Sequence, residues 1–541
     1  MNLEEGPALP PRKSSLRPPK GLVVFASASA VIFAGPLCYL VIRSAQEIPA
    51  IWSSLRGDQI WGPLGRSLGL ATAVCLTAGV VGTGAGWLVG RTAVPGRRLW
   101  AALLPLPLAI PSYVATVAFL AAMGPGGLLA GPMRRVGFPT PPIFKGFWAS
   151  LLLFTLITYP YVYLPVAARV RQLDPSLEEA AKLLGRRPTR VFFSIVIPQI
   201  KAAIAAGALL VFLYTLSDFG AVQLLRYDTL TRAIYANRLF NQPLSIALSL
   251  MLALLALLIV GIQRGMFKQP TRQEGRRAVD PGPRRLGRSK WPSAGGLAVL
   301  LLVALILPLA VLGFWAIRGV LAGSTRQSSI VGNLGALLEP GLNTGVAALA
   351  TAVVAILVAA PIAVLNVRFR SHVGRVANGL IVGGFALPGL AIALALTFWT
   401  LRGPGIIGAA YQTLPLLILA YVIHFGAQTL GSSEVAVASV PQKIADAARV
   451  LGAGRFRRIL KVEGPLMLPG MVAGGGLVLL SVMKELPATL LLSPPGFQTL
   501  ATKIWGSAED GFLADASISS IVLVILSGVL TWLLVIRPAR L

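Results

Sequence analysis

Charged residues are scarce in this chain of 541 residues. Asp, Glu, Lys and Arg make up 12% of it and hydrophobic residues 55%, whereas a soluble globular protein carries about 25% charged residues. The mean hydropathy is +0.76. Because so few charges cannot cover a soluble surface of this size, we expect the excess apolar residues to face lipid. The composition excludes a soluble enzyme, a secreted disulfide scaffold and a disordered chain.

Cysteine and histidine are also rare. The chain has two cysteines, Cys38 and Cys75, and two histidines, His372 and His424. The usual His and Cys spacings of a metal site are therefore missing, and we predict no metal ligand. The dipeptide Gly-Lys does not occur, so the phosphate loop G-x-x-x-x-G-K-[ST] is absent. The chain is predicted to be a non-enzymatic subunit that binds no cofactor itself.

Apolar runs of about 20 residues, the length of a membrane-spanning helix, recur along the chain. We predict an all-α integral membrane protein with two six-helix halves, 21–263 and 293–541, a cytoplasmic tail (1–20) and a basic cytoplasmic linker (264–292). The first run is too long for a cleaved signal peptide. The predicted spans are 21–43, 68–90, 100–122, 147–168, 202–225, 244–263, 293–317, 343–366, 377–400, 412–432, 466–491 and 516–536.

Basic residues outnumber acidic ones, 48 to 19, which gives a net charge of +29. In a soluble protein such an excess would indicate nucleic-acid binding. With both termini placed in the cytoplasm, 34 of the 48 Lys and Arg residues fall in the tails, the linker and the cytoplasmic loops, as the positive-inside rule requires. The charge therefore orients a multi-pass chain in the lipid bilayer, and no nucleic-acid partner is expected.

One motif occurs twice, in the loops after the fourth and the tenth predicted spans. The first copy reads Leu-Glu-Glu-Ala-Ala-Lys-Leu-Leu-Gly over 177–185 and the second reads Ile-Ala-Asp-Ala-Ala-Arg-Val-Leu-Gly over 444–452. The same difference in residue number, that between 185 and 452, relates every position of the first copy to its equivalent in the second. Gly185 and Gly452 favour a left-handed helix end that turns the chain. Each copy is therefore predicted to form a helix–turn–helix on the cytoplasmic face, a shape that suits a groove in a partner protein.

The motif continues with nine residues, Ile, one residue and Leu-Pro, and as a whole it resembles the signature loop of binding-protein-dependent ABC importer permeases. The first copy differs at Ile197, and the second at Asp446, Val462 and Gly464. In that family the loop is the coupling helix seated on the ATPase subunit. The residues implied to couple are, by position, Glu179, Ala180, Ala181, Gly185, Pro198, Asp446, Ala447, Ala448, Gly452 and Pro465.

The same resemblance implies the partners and the location. Two copies of a cytoplasmic ATP-binding subunit would carry the ATP and Mg, and a periplasmic substrate-binding protein would deliver the substrate. The chain would lie in a bacterial inner membrane.

Two acidic residues, Asp218 and Glu485, fall inside predicted spans, and the same shift in numbering relates them. An ionised side chain at the bilayer centre costs roughly 2.5–3.5 kcal/mol, so both should face the bundle interior, a partner or water. In one interpretation they line or gate a permeation route, where oxygen ligands suit a hard cation such as ferric iron. In another they are structural: Glu485 pairs with Lys484, and Asp218 bonds a nearby Ser or Thr. In a third the spans are shifted, and both acids lie at the outer interface. Gly220 and Pro487 beside them permit a local break in the helix.

The stretches around the two acids, 216–235 and 484–505, resemble ferric-iron importer permeases, most clearly in Ser-Asp-Phe-Gly-Ala and Lys-Glu-Leu-Pro-Ala-Thr-Leu-Leu-Leu. This resemblance implies ATP-driven import of ferric iron by alternating access. Thiamine and polyamine permeases share the architecture, so those substrates stay open. The rival from another class is a twelve-span secondary transporter, which has no reason to repeat the Glu-Ala-Ala…Gly spacing in both halves.

Overall fold

The structure, a computed structural model, is built from helices joined by short connections. It describes residues 18–49, 51, 58–135, 137, 145–174, 176–266, 286–322, 334–531 and 533, and no strand occurs among them. Most of the predicted tail (1–20) and linker (264–292) lies outside the described residues. The predicted all-α fold is confirmed within the described part.

The first half contains twelve α-helices in the residues that the structure describes. They are α1 (Lys20–Gln46), α2 (Asp58–Arg91), α3 (Arg97–Leu103), α4 (Ser112–Met123), α5 (Ala130–Arg135), α6 (Gly146–Arg171), α7 (Ser176–Leu183), α8 (Pro188–Val191), α9 (Ile197–Ser217), α10 (Gly220–Leu224), α11 (Leu230–Asn237) and α12 (Gln242–Met266). A π-helical turn, Phe192–Val196, joins α8 to α9.

The second half repeats this order over its described residues. Its helices are α13 (Lys290–Leu301), α14 (Leu307–Ala322), α15 (Leu338–Phe369), α16 (His372–Ala386), α17 (Gly389–Leu401), α18 (Ile406–Ala409), α19 (Leu414–Ser439), α20 (Gln442–Val450), α21 (Arg455–Arg458), α22 (Gly464–Met483), α23 (Pro487–Leu492), α24 (Leu500–Glu509) and α25 (Leu513–Thr531). Further π-helical turns, Leu302–Ile306 and Ile459–Glu463, precede α14 and α22.

Ten helical segments of the described chain are long and apolar enough to cross a membrane, and twelve result if each of two bent pairs counts as one span. The bent pairs occupy the predicted spans 100–122 and 377–400, and they bend by 94° and 105°. The bends fall where Ile110 and Leu387 precede prolines and take extended conformations, with ψ 120° and 134°. A proline disfavours the helical conformation of the residue before it, which explains why both pairs bend at these points.

Glycines allow the spans to pack backbone against backbone. A Cβ on Gly82 of α2 would lie 2.7 Å from the carbonyl oxygen of Tyr159, and one on Gly207 of α9 would lie 2.5 Å from that of Tyr161. Both α2 and α9 therefore approach α6 too closely for any side chain. Gly474, at the position equivalent to Gly207, has the same role in the second half. At these three positions glycine thus serves close helix packing.

Candidate functional site

The two repeated loops have the same backbone. The short helices α7 and α20 lead into Gly185 and Gly452, whose φ values of 75° and 76° confirm the predicted left-handed turns. In both loops the N–H that follows the glycine donates to a carbonyl five residues earlier, that of Ala181 at 3.1 Å and that of Ala448 at 2.9 Å, which is a Schellman helix end. A Cβ on either glycine would meet nothing within 4 Å. The turn itself therefore requires the glycine.

A π-helical turn starts the helix that leaves each loop. A single residue separates Pro198 or Pro465 from the end of this turn. Because proline lacks an N–H, the ordinary helical ladder is interrupted there, and the preceding N–H of Ile197 bonds five residues back, to Phe192. Such π turns occur frequently at functional sites. The sequence predicted both prolines near a span but gave no sign of the π turn.

Each loop has one buried and one exposed face. Ala181 and Ala448 are buried against the protein, whereas Glu179, Ala180 and Asp446 are exposed, as is Ala447. Since the motif residues divide between the two faces, the exposed acid and alanine of each copy belong to the outer surface.

The tip of each loop also exposes two neighbouring aliphatic side chains. Leu183 and Leu184 are 89% and 81% exposed, and Val450 and Leu451, at the equivalent positions, are 88% and 86% exposed. Two pairs of apolar residues in matching places form an unpartnered surface within the described chain. The motif did not single these residues out, although they stand directly before its glycine.

The two acids lie in breaks between helices rather than inside spans. Asp218 follows the end of α9, and Glu485 follows the end of α22. The predicted spans 202–225 and 466–491 ran through these breaks. Asp218 Oδ1 accepts the N–H of Ala221 at 2.9 Å, and Glu485 Oε1 accepts that of Ala488 at 3.1 Å. Each carboxylate thus caps the short helix that follows it, which explains why the long helix ends there.

Of the two structural contacts expected for these acids, the described structure contains one. Asp218 also accepts a hydrogen bond from the hydroxyl of Ser112, as the structural interpretation predicted. The described ion pairs do not join Lys484 to Glu485; instead Lys484 Nζ donates to the carbonyl oxygen of Leu108 at 3.4 Å. This amine therefore links the second break to the bend of the first half.

The two breaks meet where the halves pack together. A Cβ on Gly220, in the first break, would lie 2.9 Å from Tyr113 Cβ and 3.3 Å from Leu486 Cδ2, which belongs to the second break. The ring of Phe219 lies 4.6 Å from that of Tyr235 and 5.5 Å from that of Trp505, between centroids. Asp218 and Glu485 therefore lie beside a closed aromatic contact between the halves.

No three His, Cys, Asp or Glu side chains in the described ranges lie together as a metal-binding group. The two carboxylates are capping groups at the interface between the halves.

Comparisons with known proteins match both halves. The family model described as "Binding-protein-dependent transport system inner membrane component" matches residues 82–268 and 352–536, and each match contains one repeated loop and one acidic break. The chain is 30% identical over 470 residues to the Fe(3+)-transport system permease protein FbpB 2 of Haemophilus influenzae, covering 85% of this chain and 87% of that protein.

Shorter relatives align with about a third of the chain. The sulfate transport system permease protein CysT of Escherichia coli is 31% identical over 188 residues, which are 35% of this chain and 67% of CysT. The putrescine transport system permease protein PotI of Escherichia coli is 28% identical over 215 residues, which are 38% of this chain and 73% of PotI.

Proposed function

Because this chain belongs to the binding-protein-dependent inner membrane transport components and carries the family domain twice, we propose that its two permease halves import ferric iron with energy from separate ATP-binding subunits. The assignment of ferric iron as the cargo rests on the alignment with an Fe(3+) permease across 85% of the chain. A periplasmic binding protein would deliver the iron. The termini and both loops would face the cytoplasm of a bacterium.

The chemistry of the breaks supports a cationic cargo. Asp218 and Glu485 bring one carboxylate from each half to the interface between the halves, and oxygen ligands suit a hard cation. An anion such as sulfate would be repelled there. A polyamine is also cationic, and a putrescine permease is among the relatives, so putrescine is the second candidate cargo.

The two repeated loops supply the docking surface for the ATP-binding subunits. Leu183 and Leu184 in one loop, with Val450 and Leu451 in the other, would each insert into a groove of one subunit. Full burial of such a side chain contributes about 1.5–3 kcal/mol. One subunit would grip each loop, so two copies would bind one chain.

A continuous helical rod connects each docking loop to its acid. In the first half it runs from Thr189 to Ser217, the residue before Asp218, and in the second from Ile459 to Met483, close to Glu485. A rod of 29 residues is roughly 40 Å long at 1.5 Å per residue. When the ATP-binding subunits close, the loops would move as rigid levers and open the contact between the breaks, which is alternating access.

The test expresses the tagged chain with its ATP-binding subunits, purifies it in detergent and measures binding-protein-dependent uptake of ferric iron in proteoliposomes. The ATP-binding subunits should co-purify with the unchanged chain, and iron should enter only with ATP. In L184E/L451E, a charge at each loop tip should abolish co-purification and uptake, because an ionised side chain cannot enter an apolar groove without a partner.

A matched control is Phe240→Glu, which changes an apolar residue that is 93% exposed in a loop that the charge bias places on the opposite side of the membrane. Co-purification should survive this change. Retention of the ATP-binding subunits by L184E/L451E would refute the docking surface. Uptake of putrescine but not of iron by the intact complex would refute the iron assignment.

A further inference from the structure

An arginine reaches each repeated loop from the end of a long span, and this arginine is buried in the first half and 12% exposed in the second. Arg91 ends α2, and Arg368 lies one residue before the end of α15. Arg91 Nη1 donates to the carbonyl oxygen of Leu173 at 3.4 Å, and Arg368 Nη2 donates to that of Val440 at 3.5 Å. Leu173 and Val440 stand at equivalent positions of the two halves, related by the same shift in numbering as the loops. The two arginines are therefore structural equivalents.

The acid that pairs with the arginine comes from opposite ends of the two loops. Arg91 Nη2 lies 3.0 Å from Oε1 of Glu178, in the docking helix α7. Arg368 Nη2 lies 3.3 Å from Oε2 of Glu463, in the π turn that starts the return helix. Arg458 joins the second pair, with Nε 2.6 Å from Glu463 Oε1. The first loop is thus tied through its docking helix and the second through its return helix.

The sequence shows a reciprocal exchange at these two positions. The residue equivalent to Glu178 is Ala445, and the residue equivalent to Glu463 is Val196. All four are buried, with 3%, 2%, 9% and 2% of their surface exposed. An arginine buried without a carboxylate is strongly unfavourable. Each loop therefore has an acid at one of the two positions and an apolar residue at the other.

We propose that Glu178 and Glu463 are positioning residues, which lock each coupling loop to its neighbouring long span so that movement of the ATP-binding subunits reaches both helices together. This inference rests on the proposed function. Neither carboxylate touches cargo or nucleotide. Without this ion pair, each loop would still bind its ATP-binding subunit, but it would move without moving α2 or α15.

The exchange also makes the two ties unequal. Glu463 faces two arginines, whereas Glu178 faces one of the described cations. Loss of Glu463 removes the carboxylate that two largely covered arginines share, so the second loop should respond more strongly. Val191 stands where Arg458 stands in the second loop, and it is fully buried. The triple variant A445E/R458V/E463V therefore gives the second loop the residues that the first loop has at these three positions.

The experiment measures iron imported per ATP hydrolysed in proteoliposomes, together with the amount of ATP-binding subunit retained. Glu178→Ala and Glu463→Val should each lower this ratio about fivefold or more, the lower end of typical energetic coupling between sites, while the subunits stay bound. The reciprocal variants E178A/V196E and A445E/R458V/E463V should recover most of the ratio, because each restores one acid beside the arginine.

The milder variants Glu178→Gln and Glu463→Gln keep the shape of the side chain and remove its charge. They allow the same measurement if the protein with a truncated side chain does not accumulate in the membrane. Glu47→Ala is the control, since it breaks the partly exposed pair of Arg43 and Glu47, which lies outside both repeated loops, and should leave the ratio unchanged.

An unchanged ratio in the single variants or in their glutamine versions overturns the inference. So does a lowered ratio that the reciprocal exchange does not recover, since that result indicates a local defect. If no ATP-binding subunit co-purifies with the unchanged chain, the proposed function itself fails, which is a separate result.

Discussion

Beside the acidic break of the first half, the bent pair supplies Ser112, whereas in the second half the equivalent residue is Gly389. Each directly follows the proline at the bend. The Ser112 hydroxyl donates to Asp218. A Cβ on Gly389 would lie only 2.8 Å from Oε1 of Glu485 and 3.4 Å from Nε2 of His424. The shorter acid thus stands with the larger neighbour and the longer acid with glycine.

This exchange of side-chain volume between the acid and its neighbour shows which property the two halves share. The pair of neighbouring residues has changed as a unit, yet a carboxylate remains at the equivalent position and caps the next helix in both halves. The loops show the same behaviour, because the acid beside each buried arginine has moved while the charge has stayed. In both regions the carboxylate is the common feature, and its surroundings adapt to it.

The largest effect should come from removing the charge of either acid without removing its cap. In Asp218→Asn and Glu485→Gln the amide oxygen still accepts the helix N–H, so the fold should persist. Iron uptake should fall about tenfold or more, because the neutral amide no longer attracts the cation and an interaction with a charged group contributes about 1.5–3 kcal/mol. The measurement is initial uptake at saturating ATP.

Ser112→Ala is the matched control for this pair, because it alters the Asp218 contact and keeps both carboxylates. Its uptake should exceed that of Asp218→Asn. Equal uptake by the unchanged protein and the two amide variants would show that the acids serve only the breaks. A loss in one amide variant alone would show that the halves differ in function at this point.

A smaller effect should follow from giving the second half the serine of the first. Gly389→Ser places a side chain against Glu485, and overpacking of this kind costs about 1–3 kcal/mol. The double variant G389S/E485D reproduces the pair of the first half and should recover most of the loss. Thermal unfolding of the purified chain in detergent measures both. A single variant as stable as the unchanged chain, or a double variant no more stable than the single, would contradict the exchange of volume.

The repeated loops could be predicted from the sequence to single residues, because their determinants are local. A glycine with positive φ, a proline thirteen residues later and an acid six residues earlier leave a visible pattern wherever the chain folds in this way. The number of spans was equally accessible, since apolar length decides it. The exposed faces of the loops were less predictable from the sequence. The exposure of Leu183 and Leu184 was missed because exposure depends on which segments pack nearby.

The broken spans and the paired exchanges could not be predicted in the same way, because they depend on contacts between distant segments. The run 377–400 is apolar on both sides of Pro388, so hydropathy alone does not distinguish a bent pair from a straight span. Ala445 and Glu463 look like unrelated mismatches between the two copies until Arg91 is known to pair with Glu178 and Arg368 with Glu463. Sequence mismatches between repeats are informative only once the structure shows which of them face one partner.

The smallest effect is expected from substituting the glycines at the loop tips, which changes the backbone preference and leaves the packing unchanged. Gly185→Ala and Gly452→Ala introduce no clash, so each should lower stability only by the penalty of a left-handed alanine, about 1–2 kcal/mol, and by equal amounts. Gly79→Ala is the control: its site is an open helical position, where alanine should stabilise by about 0.5–1 kcal/mol. Thermal unfolding measures all three. Unequal losses at the two loops would mean that they differ in backbone as well as in the acids that pair with Arg91 and Arg368, and the equivalence of the halves would then end at the repeated loops.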